Sequence, residues 1–592
     1  MGLLKELGFA PGVVKDDSEL AAALRRNIRR WTDSDRIRFI NGLPEKLGGW
    51  KHHVSTTFSG ICRGLLAWQD GSSVARIAIG THTKLYAVEA TTFHNITPIR
   101  ATSSLTNPFA VTSGSATVTV TDSAHGAAAG DGVQISGASA VGGITVSGTY
   151  AIATIVNGDV YTITHTSNAT STASGGGSVT AKYEISIGRQ DAAAGDGYGV
   201  GGYGLEEYGD AREATYILLP PRTWSLDQWG QYLVACPRGG NIYEWQNDPA
   251  TPAAVVSNAP TSNSGIFVTE EKHLVALDAG GTKMKIQWCD QNDNTNWTAS
   301  DQTTAGSRNV TGGSELLFGM RVRGTNLVFS DGSIWAMTFI GGLDVFAFEQ
   351  IAAGASGIIG PRAATEVNGI AFWMSFNDFL MYDGAVKPIP HSKDIRRFVL
   401  DNLTSLQRAK VYCGSNTQFS EVWWLYPTGT EINRYVKVNL EDFSWDVGTI
   451  VRTALIDRGI FANPIMAGSD GILYAHESGN DDITGTATAT ASMAEYIVSS
   501  PITEQNHKVF DVISVFPDFK DLAGTLTVTI LSRYYPQGSQ TTTVVGTVGT
   551  STTQLDKRTS GREHEFRFGD STIGGTWRLG TIMVQTEPGG ER

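Results

Sequence analysis

The stretch NLVFSDGSIWAMTF, residues 326–339, holds an apolar run, an Asp-Gly turn and a second run carrying a tryptophan. Six other stretches follow the same order. They are RIAIGTHTKLYAVEA around Tyr86, YLVACPRGGNIYEWQ around Tyr243, HLVALDAGGTKMKIQWCD around Trp288, GIAFWMSFNDFLMYDG around Tyr382, VWWLYPTGTEINRYVKVN around Tyr435 and PIMAGSDGILYAHES around Tyr474. From Tyr243 through Trp288, Trp335, Tyr382 and Tyr435 to Tyr474 the aromatic markers lie 45, 47, 47, 53 and 39 residues apart. A period of 40 to 50 residues with several strands per unit is that of β-propeller blades. A lone hairpin leaves an apolar face in water, so successive units must stack to bury it. The fold expected is therefore all-β: a β-propeller of six to eight blades, seven preferred. A plain antiparallel sandwich would not produce such regular spacing.

The gap between Tyr86 and Tyr243 is too long for one blade. Residues 105–183 are rich in Ser, Thr, Gly and Ala, with short alternating strands such as SATVTVTD and GDVYTITH. They read as a small β domain inserted in a propeller loop. After residue 485, TLTVTILSRYYP, EHEFRFGD and TWRLGTIMVQTE alternate apolar and polar residues, as a C-terminal β-sandwich does. The expected division is 1–60 for an N-terminal segment with a propeller-closing strand, 61–104 and 184–484 for the propeller, 105–183 for the insertion and 485–592 for the sandwich. Two helices are expected. One is SELAAALRRNIRR, with Asp16 and Glu19 placed as a cap. The other lies within HSKDIRRFVLDNLTSLQRAK, where Ile395, Phe398, Val399, Asn402, Leu403 and Leu406 fall largely on one face.

Composition narrows function. The net charge is −13, so the chain lacks the basic footprint needed to grip DNA or RNA by its phosphates. The four cysteines, Cys62, Cys236, Cys289 and Cys413, are far apart and form no CxxC pair, which points to buried thiols rather than zinc or a disulfide framework. No apolar run of signal-peptide length opens the chain, and none of 18 residues occurs anywhere, so neither secretion by the ordinary route nor a membrane-spanning helix is expected.

Several motifs invite chemistry and fail on context. GYGVGGYG, 197–204, satisfies GxGxxG twice, but the following LEEYGDAREATYILLPP offers no helical crossover for a dinucleotide. DQNDNTNW, 290–297, is rich in oxygen ligands yet lacks the glycine and terminal glutamate of an EF-hand loop; turn-capping is the better reading, as it is for GNDDITG, 479–485. HExxH, GxSxG and the P-loop lysine motif are absent. Trp423 and Trp424 could stack on a sugar, although neighbouring strand residues face opposite sides and one of the two must be core. No catalytic, cofactor-binding or metal-ligating residue is assigned, and no enzyme activity or cofactor is expected.

The N-terminal stretch RWTDSDRIRFINGLPEKLGGW, 30–50, serves none of these chemistries. Its alternation reads as a strand running through an Asn-Gly turn, with Pro44 and the Gly48-Gly49 pair setting the entry to the first blade, and with a terminal strand completing a blade from the other end. Together with SGICRGLLAWQDGSSVARIAIGTHTKLYAVE, IQWCDQNDNTNW, GSELLFGMRVRGTNLVFSDGSIWAM, FSEVWWLYPTGTEINRYVKVNLEDFSWDVG and WRLGTIMVQTEPGGER, it resembles the tail hub or nozzle proteins of short-tailed bacteriophages, also called tail tubular or DNA-stabilisation proteins. The likeness covers most of the chain except 105–183. It implies a virion protein made in the host cytoplasm and assembled in the tail as a ring, usually of six copies. That ring would lie below the portal and adaptor, extend the DNA channel without binding DNA specifically, and carry fibres or the tail tip. A receptor-binding or glycan-degrading tail propeller is the alternative, and a cellular propeller scaffold a weaker one. Ring assembly joins unlike patches, and the basic run Arg25, Arg26, Arg29, Arg30, Arg36 and Arg38 is the candidate assembly surface.

Overall fold

The structure is a computed structural model that describes residues 3–24, 28–194, 218–342, 344–483 and 490–589. The chain forms two compact units, one of Met1–Thr57 with Val310–Arg592 and one of Phe58–Asn309. Among the described residues the fold is all-β, with seven four-stranded antiparallel meanders of the kind that make propeller blades.

Three blades, 62–95, 224–255 and 265–309, belong to the unit Phe58–Asn309. Four belong to the other: 316–353, 364–388, 412–449, and a last blade of Arg452–Ile456, Ile465–Gly468 and Leu473–His476. The fourth strand of that last blade is Trp50–Val54, which pairs antiparallel with Leu473–His476 and joins His476 to Trp50 and Tyr474 to His52 in register. A strand from near the N-terminus thus completes a blade built near residue 470.

Each of the seven aromatic markers lies in the third strand of its blade: Tyr86, Tyr243, Trp288, Trp335, Tyr382, Tyr435 and Tyr474. A third strand is paired on both edges, so a large side chain there packs against neighbours on the sheet face. In the four-blade unit, Phe379 sits 5.0 Å from Trp424 and 4.9 Å from Trp445, which belong to the next blade. Aromatic pairs at such distances add to the area they bury.

The insertion occupies Ile99–Thr106 to Ser178–Glu184, a little wider than 105–183, and these two strands pair with each other. Its eight strands run, in hydrogen-bonded order, Ile99–Thr106, Ser178–Glu184, Gly132–Ser136, Gly148–Asn157, Val160–Thr164, Thr117–Thr121, Phe109–Val111 and Ala173–Gly175. They enclose a core of their own that includes Val118, Val120, Ile163 and Tyr161. The Tyr183 hydroxyl donates to Asp122 Oδ2 at 2.5 Å, giving a buried phenol its partner.

The C-terminal sheets are not confined to 485–592. Leu3–Leu7 pairs with Ile582–Pro588, Arg29–Asp35 pairs with Glu495–Ser499, and the hairpin Ile37–Ile40 and Leu43–Lys46 joins Thr576–Leu579 through Glu45 and Arg578. Phe9–Val13 runs parallel to Arg29–Asp35 at the edge of the same seven-stranded sheet. Much of the N-terminal stretch therefore belongs to these sheets and not to a blade. The physical reason is hydrophobic: Leu7, Val13, Trp31, Ile37 and Phe39 fill one core with Val512, Ile530, Phe566, Phe568 and Trp577. Asn41 and Gly42, at φ 51° and 79°, make the two left-handed turn positions that an Asn-Gly hairpin uses.

Both helices are shorter than the sequence suggests. The first is Glu19–Leu24 and receives its cap from Ser18, whose Oγ accepts the Ala21 N–H at 3.3 Å. Asp16 does not cap it. Its carboxylate instead accepts the Arg397 and Phe398 N–H groups, both at 2.8 Å, at the start of the second helix, Arg396–Asn402. In that segment Ile395 and Val399 are buried as expected, whereas Leu406 is exposed.

Candidate functional site

The four described members of the arginine run do not form one surface. Arg25 and Arg26 lie outside the described residues, as does GYGVGGYG. Arg29 and Arg30 stand on Arg29–Asp35 and are half-buried, with Arg30 Nη2 paired to Asp394 Oδ2 at 2.9 Å. Arg36 Nη1 donates to the Ala494 carbonyl at 3.2 Å, and its guanidinium lies 5.6 Å from the Trp50 ring.

Arg38 departs furthest from the assembly reading. It is 1% exposed, so it contributes nothing to an outer surface. Its strand, Ile37–Ile40, is buried on both faces: Ile37 and Phe39 enter the C-terminal core, and Arg38 points the other way into the sixth and seventh blades. There Nε and Nη2 donate to the two Glu421 oxygens at 3.2 and 3.3 Å, and Nη1 donates to Glu477 Oε2 at 3.0 Å. The Phe419 ring lies 3.5 Å from the guanidinium carbon. Glu421 also receives Lys437 Nζ at 2.7 Å and Trp423 Nε1 at 3.0 Å, and Lys437 reaches Asp446 Oδ2 at 2.7 Å. Gly48 and Gly49 let the chain pass close to this cluster, since a Cβ on Gly48 would meet the Glu477 side chain and one on Gly49 would lie 2.8 Å from the Asn480 carbonyl carbon.

Burial drives every shift in the cluster, and the counter-charges decide its sign. Burial raises the Glu421 carboxyl, but Arg38 and Lys437 more than offset it, and the group is held below its ordinary range. Asp446 has Lys437 alone in contact and Glu421 as a repelling neighbour, so burial wins and its carboxyl rises to about 7. A second buried set behaves alike: Glu495, 3.3 Å from Lys46 and hydrogen-bonded by Trp577 Nε1 at 2.8 Å, is pushed by burial to about 7.

A glycosidase needs two carboxylates facing a space that admits a sugar and water. Glu421, Asp446 and Glu495 are each at most 3% exposed and bound to side chains of the fold. They bind one part of the chain to another. The Trp423–Trp424 pair is likewise internal, both rings being buried. In DQNDNTNW, Asp290 Oδ1 accepts the Gln291 and Thr304 N–H groups and the Thr304 hydroxyl, and Asp293 Oδ1 accepts from Thr295 N and Oγ1. These carboxylates cap turns. Residues 484 and 485 of GNDDITG are outside the described residues, while Asp482 Oδ1 accepts the Trp50 indole N–H at 2.6 Å. Among the described residues no group of three His, Cys, Asp or Glu is arranged to hold a metal ion, and no helix is long and apolar enough to cross a membrane.

Glu421, Lys437, Asp446 and Glu495 were not singled out by the motifs. The available signal is a lone charge inside an apolar strand, as in EVWWLYP and NRYVKVN, because an unpaired charge would not be buried there.

A cavity of about 610 Å³ lies in the four-blade unit between the N-terminal arm (Ala10 to Asp17, then Ile28 and Arg30), the loop 388–394 and the turn 442–444. It holds Arg30, the only described member of the arginine run among its lining residues.

No family model and no curated protein matches the chain. Among solved structures, the phage phi92 endosialidase aligns over 84% of this chain at 11% identity and TM-score 0.15, and the chain spans 63% of that protein's length. The extracellular domain of the putative hybrid two-component system BT4673 from B. thetaiotaomicron aligns over 89% of this chain and 74% of its own, at 11% identity and TM-score 0.28. Streptogramin B lyase aligns over 42% of this chain and 91% of its own, at 7% identity and TM-score 0.24. Likenesses this distant carry no inference about function.

Proposed function

We propose that this protein is a structural subunit of a short phage tail, assembled as a ring-shaped nozzle or hub that extends the DNA ejection channel below portal and adaptor and carries fibres or the tip. The observation that supports it best is how the charges are used. The buried ionic groups bind the N-terminal stretch, the last two blades and the C-terminal sheets into one unit, as suits a part that bears load rather than one that turns over substrate. The order of elements, with seven blades, a β insertion and sheets built from both chain ends, agrees with the family resemblance of the sequence. A net charge of −13 suits a channel wall along which DNA slides without being held.

Electron microscopy of the purified full chain tests the proposal. Six-fold rings with a central pore are expected, and monomers or trimers at virion-like protein concentrations would count against it. A polysaccharide depolymerisation assay on the same preparation is expected to show no turnover; sustained turnover would replace this reading with that of a glycan-degrading tail propeller.

A further inference from the structure

We propose that Lys46 and Asp570 join through a covalent isopeptide bond among the C-terminal sheets, with Glu495 as the proton carrier. Glu495 and Asp570 stand directly opposite each other on the paired strands Glu495–Ser499 and Glu563–Asp570. Lys46 ends the strand Leu43–Lys46, which joins Thr576–Leu579. Its Nζ lies 3.3 Å from Glu495 Oε2 and 3.9 Å from Asp570 Oδ2, and all three side chains are at most 2% exposed. Neither Lys46 Nζ nor Asp570 Oδ2 makes a well-aligned hydrogen bond among the described residues. An ion pair buried so, without hydrogen bonds to repay desolvation, costs the fold free energy. A neutral amide in its place removes both charges.

The surroundings give the two acids different roles. Asp570 Oδ1 accepts the Thr572 N–H at 2.7 Å, which polarises Cγ toward attack and leaves Oδ2 on the lysine side. Glu495 is fixed by the Trp577 indole N–H at 2.8 Å, and Trp577 belongs to the apolar core with Phe568 and Leu579. Burial there holds a proton on Glu495, as a carrier needs. The Lys437 cluster has the same residue types but differs on this point. Lys437 reaches both of its acids at 2.7 Å, and Arg38 helps keep Glu421 ionised, so no protonated carrier stands beside that lysine and Asp446.

The step balances without a co-reactant. The Lys46 ammonium passes one proton through Glu495 to Asp570, giving a neutral amine and a neutral carboxylic acid. The Nζ lone pair attacks Cγ, and the new N–C bond replaces the bond from Cγ to Oδ2. A second Nζ proton travels by Glu495 to the departing hydroxyl, which leaves as water, and Glu495 ends as it began. The fold holds the amine and the acid together, which is what makes an otherwise slow condensation feasible. The bond would tie the N-terminal hairpin to the C-terminal strands covalently. This inference does not depend on the nozzle reading.

Mass spectrometry of the full chain tests it, after the folded protein has been held at neutral pH until its mass is constant. The denatured chain is expected to be lighter than its sequence by one water. Trypsin is expected to release a branched peptide in which residues 39–51, uncut at Lys46, are joined to residues 568–578. Lys46→Arg keeps a cation for both acids and is expected to restore the full mass. Glu495→Gln keeps an acceptor for Trp577 but carries no proton, and is expected to slow the linkage about a hundredfold. Full mass in the parent chain, or a water loss that persists in Lys46→Arg, would overturn the bond. A branch at Glu495 instead of Asp570, or undiminished linkage in Glu495→Gln, would overturn the roles assigned to the two acids.

Discussion

Arg38 shows how one side chain can carry much of the connection between two parts of a fold. Its charge is balanced only by partners that are themselves buried, so removing it leaves Glu477 and part of Glu421 uncompensated. Arg38→Met is expected to cost about 3–5 kcal/mol, read as a lower urea midpoint for the unit that contains it. Adding Glu477→Gln to that variant is expected to recover part of the loss, because the orphaned charge goes with it. Glu495 gives the opposite kind of test. Its folded carboxyl is raised to about 7, so the native state keeps a proton that the unfolded chain has released. Its contribution to stability therefore falls as pH rises from the ordinary glutamate range toward 7, and levels off above that. Compared in an Asp570→Ala background, where no bond to Lys46 forms, Glu495→Gln, which keeps an acceptor for Trp577, is expected to be more stable than its parent at pH 8 and close to it at pH 5. Paired denaturation curves check this, and equal gains at both pH values would contradict it.

At the scale of single elements, the strand Trp50–Val54 matters most. Trp50 is buried, stacks on His476 at 5.0 Å, lies 5.1 Å from the Arg452 guanidinium and donates to Asp482. Trp50→Ala is expected to cost about 3–5 kcal/mol and to open the last blade. Hydrogen exchange would show it as faster exchange of the Leu473–His476 amides, with the fourth and fifth blades little changed. The seven blade hairpins were legible in the sequence because a hairpin is local: alternation, a turn residue and a buried aromatic lie within about 15 residues. The partners of Arg29–Asp35 and Ile37–Ile40 were not legible, since strand alternation states that a face is buried but not what covers it. Asp16 fails as a cap for the same reason. Its pattern fits the nearby helix, yet the backbone it serves is 381 residues away.

At the scale of the molecule, the insertion is the part most separable from its surroundings. Its first and last strands pair, so its ends are already adjacent, and its core is its own. Glu184, at the end of the insertion's last strand, accepts from Asn95 Nδ2 of the first blade at 2.7 Å and from Gln134 Nε2 of the insertion at 3.0 Å, so it sits at the boundary and is kept. Replacing residues 101–183 by a short Gly-Ser linker is expected to leave the blades folded, with far-UV circular dichroism and melting close to those of the parent after allowance for the lost strands. Aggregation or loss of the main transition would show that the insertion supports the blades. The sequence by itself determined the all-β class, the repeated blade unit and the presence of an inserted domain, because each follows from patterns along the chain, and it left the blade count between six and eight. Tertiary structure alone decided that seven blades form, that the N-terminal stretch splits between the C-terminal sheets and the last blade, and that Arg38 is an internal counter-ion rather than an outer contact. Those outcomes depend on which distant segments share a buried face, and burial sets the cost of a charge only once the whole chain is in place.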